Sequence, residues 1–406
     1  MLSGAVHALA RPGVKFWLSS TALSRALIPR PEHSDAVHTA GTNPMRMLLL
    51  GSGASIGFGV LSHDLALAGH LGRQISAMID RALDIDVVVD REMTSETAPA
   101  ALSAQPVARY DAVVVALGLI EALTFTPVPT WRIELTALID QITTAGSSNV
   151  QIFIVAVPPL PALMRYPAFI RLLAGKHART LNDASRQLSD QFEHVTYLPF
   201  DAAGGGETDR FRSSATYSTW AGLLAEPISA RLRYTGVRGE PAPATPVDEA
   251  ARQSTLDALN ILDSKPEERF DRITRTARDL VGTTSAAITL IDRERHWFKS
   301  RIGVDKEQMP RFSTLCDITI QGREHFAIED ATKDPRFADN PLVLDEPHLR
   351  FYAGYPIEAP NGVRVGTLSV FDPQPRGFSD ADAALLRGLA LMVQNELRSP
   401  SQNEPQ

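Results

Sequence analysis

One cysteine, Cys316, among 406 residues excludes an intrachain disulfide framework and a cysteine-cluster metal site, and it suits a reducing cytoplasm. Apolar runs are short. None reaches the roughly 18 residues that a membrane-spanning helix needs. Basic residues are not in excess either: 40 Lys and Arg stand against 47 Asp and Glu, a net charge of -7. A protein that neutralises nucleic-acid phosphates needs the opposite balance. These absences set the expectation of no metal, no cofactor, no nucleic-acid partner and no membrane span.

What is present is the composition of a soluble globular protein, 44% hydrophobic and 21% charged. The length exceeds one ordinary core and fits two domains with tails. Residues 1–44 read as a leader. Arg11, Lys15 and Arg25 interrupt its apolar residues and break any secretory h-region. A poorly ordered leader and an amphipathic helix both remain open. Pro31 to Pro44 is polar and reads as linker.

From residue 46 to 233 short apolar runs alternate with helical periods. Strands are expected at 46–51, 86–90, 112–118, 150–157 and 195–199, with helices at 64–83, 131–145, 167–193 and 217–233. Strands separated by helices of that length require crossover connections, hence a parallel sheet covered on both faces. In such sheets chemistry gathers at the carboxyl ends of the strands. The first strand runs into Gly51-Ser-Gly-Ala-Ser-Ile-Gly57-Phe-Gly59, a turn whose glycines let backbone N–H groups approach a ligand.

This turn, with its flanking blocks, resembles the SGNH (GDSL-like) hydrolases over residues 45–233. The resemblance implies a flavodoxin-like α/β fold and assigns each catalytic position. The nucleophilic serine falls on Gly53, and the oxyanion glycine on Ser95, whose N–H remains able to serve. The oxyanion asparagine falls on Ile120 and the histidine base on Arg212, while the acid is retained as Asp209. Arginine stays protonated and cannot act as a general base. The expected catalytic set is therefore empty. The open alternatives are a pocket where Arg212 binds an anion, a relic scaffold with Arg212 paired to Asp209 or Glu121, and a rescued esterase using Ser52 or Ser55 with His63 or His70. For the two histidines an exposed polar role is the ordinary expectation.

Residues 234–247 form a linker dense in Pro and Gly. After it the grammar changes. Helices are expected at 248–262, 267–281 and from the N-cap Ser379 to about 397, around strands at 286–292, 296–302 and 365–371, the last entered through an Asn361-Gly362 turn. Residues 399–406 read as a polar tail. The blocks Ile288-Thr-Leu-Ile-Asp292, Arg295-His-Trp-Phe-Lys-Ser-Arg301, Asp330-Ala-Thr-Lys-Asp-Pro-Arg-Phe337 and Gly366-Thr-Leu-Ser-Val-Phe-Asp372 resemble a bacterial GAF domain, here over 248–398. That implies an α+β antiparallel sheet with flanking helices and a small-molecule pocket. Trp297, Phe298, Cys316, Asp330, Arg350, Phe351 and Tyr352 are the candidate ligand contacts. Alternate residues of those strands must fill the core, so about half of the aromatic ones are structural. A Cys/His metal or haem site is disfavoured, because Ile318 stands at the histidine of Ser-Phe-Cys-x-His. Cys316 itself reads as packing, or as a redox or ligand contact.

The sequence thus points to a sensory or regulatory protein that binds a small molecule or a partner protein, fused to an inactive hydrolase-like domain. The alternative is a serine esterase controlled by its GAF domain; a third reading is a dimerisation module with empty pockets. The apolar face of the last helix, carrying Leu385, Leu386, Leu389, Leu391, Met392 and Leu397, suits burial on its own sheet or a homodimer of flanking helices. With no output domain after the second unit, a signal would leave through a partner protein or the first unit.

Overall fold

Met45–Gly51, the apolar run before the glycine turn, is a strand (β2) buried at every residue. Both faces of its sheet are covered by helices, which leaves the strand no face toward water. The computed structural model of the protein describes residues 28–31, 36–159, 168–201, 213–234, 248–311 and 315–398. The leader before residue 28, Asp209, Arg212, the segment 235–247 and the tail 399–406 lie outside them. The chain divides into two compact units, the first made of residues 1–39 and 44–238 and the second of residues 40–43 and 239–406.

The first unit runs β1 (Val37–His38), β2, α1 (Leu67–Ile79), β3 (Leu83–Val89), α2 (Ala98–Ser103), β4 (Ala112–Ala116), α3 (Leu119–Thr124), α4 (Val128–Ala145), β5 (Gln151–Val155), α5 (Ala168–Ser189), β6 (Val195–Leu198) and α6 (Ser214–Tyr234). The sheet order is β1-β3-β2-β4-β5-β6, with every pairing parallel except β1 on β3. On one face Leu67, Leu71 and Ile75 of α1 meet Tyr217, Trp220, Leu224 and Ile228 of α6. On the other, Trp131, Leu135, Leu138 and Ile142 of α4 pack with Leu181 and Leu188 of α5. Each buried leucine of these layers contributes about 2 kcal/mol.

Two corrections to the sequence reading follow. The polar stretch before Pro44 contains β1. β3 begins at Leu83 rather than 86, because Asp84 and Asp86 hide its start; both are partnered in the sheet, His38 Nδ1 lying 2.7 Å from Asp84 and the Tyr110 hydroxyl donating to Asp86 at 2.7 Å.

The second unit runs α7 (Glu249–Ala258), α8 (Glu268–Val281), β7 (Ser285–Ile291), β8 (Arg295–Ile302), β9 (Gln308–Pro310), α9 (Leu315–Gln321), β10 (Phe326–Ile328), α10 (Pro341–Leu344), β11 (Phe351–Glu358), β12 (Arg364–Asp372) and α11 (Asp380–Arg398). Its sheet, ordered β10-β11-β12-β7-β8-β9, is antiparallel throughout. Asp248 caps α7 by accepting from the N–H groups of Ala250 and Ala251. Ser379 opens α11 in a reciprocal box, its Oγ donating to Asp382 at 2.7 Å and accepting from the Asp382 N–H at 3.2 Å.

α7, α8 and α11 bury one face of the sheet over Phe270, Ile273, Leu290, Phe351 and Leu368. Leu386 and Leu389 of α11 are buried there and Leu385 and Leu397 pack alongside, whereas Met392 is exposed. Burial on its own sheet thus accounts for most of that apolar face. α9, α10 and the long connections cover the opposite face around Ile291, Leu315, Ile320, Phe337 and Tyr352. Among the described residues no helix is long and apolar enough to cross a membrane.

Candidate functional site

Two places are assembled by these folds: the glycine turn after β2 and a cavity on the loop-covered face of the second sheet. At the turn, Gly51 has φ +152 and a Cβ there would stand 2.1 Å from the Ala116 carbonyl oxygen, so the neighbouring strand end closes on bare backbone. Gly53 has φ +64, and its Cβ position is 3.1 Å from Leu119 Cδ2 at the start of α3. A side chain at Gly53 would therefore press on Leu119. Ser55 donates its hydroxyl to the Ser52 carbonyl at 2.8 Å, while the buried Ser52 Oγ has no hydrogen-bond partner among the described residues. His70 Nε2 is 2.8 Å from Ser214 Oγ and its Nδ1 is 3.1 Å from an Arg73 nitrogen, so its ring is engaged away from both serines. His63 is buried, contrary to the exposed role expected of it.

Ser95 is also committed elsewhere. Its N–H donates to Glu121 Oε1 at 2.6 Å, and its Oγ lies 3.0 Å from the same oxygen and 2.6 Å from Glu134 Oε2. The N–H read from sequence as a surviving oxyanion donor is therefore spent on a buried carboxyl. Burial raises the pKa of Glu121 against the hydrogen bonds from Ser95, with the nearby Glu134 acting in the same direction as burial. Glu121 Oε2 has no partner among the described residues. Where the hydrolase pattern places an asparagine, Ile120 offers no donor. Asp209 and Arg212 lie outside the described residues.

The second cavity measures about 530 Å³. Strand alternation decides what enters it. Thr289 of β7, His296 and Phe298 of β8, Tyr352 of β11, and Ser369 and Phe371 of β12 face it, and Leu315 and Cys316 of α9 close over them. The mouth carries the exposed residues Asp305, Lys306, Glu346 and His348. Thr289 is fully buried, and its Oγ1 has no hydrogen-bond partner among the described residues.

Polar groups concentrate at the sulfur. The Tyr352 hydroxyl lies 3.5 Å from Cys316 Sγ and 3.0 Å from Thr319 Oγ1. His296, 2% exposed, faces the cavity beside the sulfur and places its Nε2 3.0 Å from Asp317 Oδ2. Arg311 Nε holds the other oxygen of Asp317 at 2.8 Å. Burial opposes the imidazolium, but hydrogen bonds to Asp317 and Cys316, with their charges, outweigh it and raise His296 to about 9. Burial likewise opposes the thiolate, and the His296 hydrogen bond and charge overcome it, lowering Cys316. Among the described residues no cluster of three or more His, Cys, Asp or Glu could hold a metal ion.

Of the seven candidate contacts, Phe298, Cys316 and Tyr352 line this cavity. Trp297 and Phe351 point the other way, into the helix-covered core. Asp330 lies in a separate surface groove, bound by Thr332 and Lys333. Arg350 spends a guanidinium nitrogen on the carbonyls of Val343 and Leu349 at 2.8 and 3.1 Å. Among the residues missed are Thr289 and His296. His296 stands two residues before Phe298, so period-two alternation was the available signal.

Residues 265–397 match the family model of the GAF domain. A cyclic di-GMP phosphodiesterase of Pseudomonas aeruginosa is 41% identical over 152 residues, which are 37% of this chain and 26% of that protein. The chain thus spans about a quarter of that relative's length. The GAF domain of an Acinetobacter phosphoenolpyruvate-protein phosphotransferase is 20% identical, with a TM-score of 0.27, over 36% of this chain and 93% of that one. The inhibitor-bound aryl esterase of M. smegmatis is 15% identical, with a TM-score of 0.36, over 46% of this chain and 99% of that one. Residues 265–397 of this chain are a GAF domain.

Proposed function

We propose that this is a cytoplasmic regulatory protein whose GAF domain takes a small molecule into the cavity between the sheet and α9, and whose first unit is a hydrolase-type scaffold without a working nucleophile. The observation that carries the ligand reading is Thr289. A fully buried hydroxyl without a partner costs about 1–3 kcal/mol, and a ligand atom accepting its proton would recover that cost. The largely apolar walls with a few convergent polar groups are those of a small-molecule site. The inactive first unit is supported by Leu119 beside Gly53 and by the engagement of Ser95 with Glu121.

The test is thermal unfolding of the full chain across a metabolite panel, because a ligand that binds only the folded state raises its stability. A hit whose shift is reduced in Thr289→Val supports the reading. No shift across nucleotides, amino acids and aromatic acids at millimolar concentration would count against it.

Ser52 favours a second reading, a serine esterase regulated by the GAF domain, since its buried hydroxyl has no hydrogen-bond partner among the described residues. A fluorophosphonate adduct mapped to Ser52 would establish it. An unlabelled protein would leave the scaffold reading.

A further inference from the structure

The cavity holds more chemistry than a binding site needs. Its sulfur is the only thiol in the chain. It sits 8% exposed against the cavity, with His296, Tyr352 and Thr289 facing the same space. Behind the imidazole stands a second line of charge, in which Asp317 holds His296 at 3.0 Å and Arg311 holds Asp317 at 2.8 Å. Arg311 also reaches Glu249 at 3.2 Å, which fixes the relay to α7. A cysteine that merely packed would not require an imidazole oriented by a carboxylate. A nucleophile would.

We propose that Cys316 is a reactive thiolate paired with His296 and that it is oxidised by small organic hydroperoxides entering the cavity. The proposal rests on the reading of the cavity as a ligand site. The apolar walls of Phe298, Leu315, Leu349 and Phe371 would take the carbon side of such a molecule, and the polar corner its peroxide. The sulfur attacks the terminal, hydrogen-bearing oxygen; the S–O bond forms as the O–O bond breaks. The departing alkoxide takes the proton of the His296 imidazolium and leaves as the alcohol. Sulfur is oxidised by two electrons to the sulfenic acid, the peroxide is reduced by two, and His296 ends neutral. The unpartnered Thr289 hydroxyl faces the same space and is a donor for the peroxide oxygens. The charged groups nearest the pair are Asp317 and Arg311 behind it and Asp305, Lys306, Glu346 and His348 at the mouth.

A free thiol with a pKa near 8.5 is only about 3% thiolate at neutrality. A held thiolate therefore reacts about threefold faster there, after allowance for its lower intrinsic nucleophilicity. The experiment exposes the full chain to tert-butyl hydroperoxide, and separately to hydrogen peroxide, with dimedone present, and maps the adduct. The expected result is dimedone on Cys316, formed faster with the organic peroxide. The wild-type rate should vary little between about pH 7 and about pH 9. His296→Asn and Asp317→Asn should slow it at neutral pH and restore an ordinary thiol's rise with pH. No adduct, or a wild-type rate climbing about tenfold per pH unit through neutrality, overturns the proposal even if neither variant folds. Equal rates with both peroxides overturn the organic class. A protein that reacts but shows no ligand-induced thermal shift would keep this inference and remove the binding reading; the reverse result would do the opposite.

Discussion

Leu119 crowds the place where a side chain on Gly53 would begin, its Cδ2 3.1 Å from the Cβ position. A side chain at Gly53 would press on Leu119, and its backbone would lie in the left-handed region. Gly53→Ser should destabilise the protein by about 1–2 kcal/mol, the cost of a non-glycine residue in the left-handed region. Urea unfolding reads this directly. Combining it with Leu119→Ala should not restore fluorophosphonate labelling, since Ile120 still lacks a donor. Labelling of the introduced serine would show that the rest of the catalytic geometry survives.

Glu121 supplies a pH dependence. Its carboxyl is 2% exposed, and burial raises its pKa in the folded chain, so the folded state binds its proton more tightly than the unfolded state. Its contribution is most favourable below the unfolded value near 4.3 and is lost as pH rises through the folded value. Glu121→Gln keeps an oxygen for the Ser95 N–H and removes the ionisable group. The variant should melt higher than wild type at pH 8, with the difference narrowing toward pH 4. Equal gains at both pH values would show that the carboxyl's ionisation is irrelevant.

His296 behaves in the opposite chemical sense but with the same sign. Its pKa is raised to about 9, so the stability it adds is complete below the unfolded value near 6.5 and is lost as pH rises through about 9. The imidazole resonances, followed by NMR, should titrate above pH 8. His296→Asn should lose more stability at pH 7 than at pH 10. A titration midpoint near 6.5 would show that Asp317 and Cys316 do not hold the charge.

Thr289→Val exchanges an unpartnered buried hydroxyl for a methyl of nearly the same shape. The ligand-free protein should gain about 1 kcal/mol. Denaturant midpoints at unchanged slope would measure the gain, and a loss would mean that the hydroxyl is satisfied, for instance by a buried water.

The architecture was legible where periodicity is undiluted. Met47–Leu50 is apolar without interruption, the strand ending at Asp372 carries Val365, Leu368 and Val370 on its core side, and Ser379 was a recognisable cap with Asp382 three residues on. β3 was misplaced at its start because Asp84 and Asp86 are tertiary partners of His38 and Tyr110, a fact no local window contains. The cavity was half legible. Aromatic content drew attention to Trp297, Phe298, Phe351 and Tyr352 together, but neighbours in a strand face opposite ways, so only Phe298 and Tyr352 line the space. His296 of β8 and Cys316 of α9 line the cavity together from 20 residues apart in the chain, and the isoleucine at 318, where a histidine was sought, points elsewhere.

The alternation that separated those aromatic residues also divides the GAF sheet into two independent texts. His296 and Phe298 belong to the cavity, while Trp297 and the fully buried Lys299, whose Nζ is 2.6 Å from Glu267, belong to the helix-covered side. Exchanging residues of the first set changes the lining of the cavity, and the second set keeps holding the fold. A chain written this way can change its chemical vocabulary over generations without revising the grammar that keeps it folded.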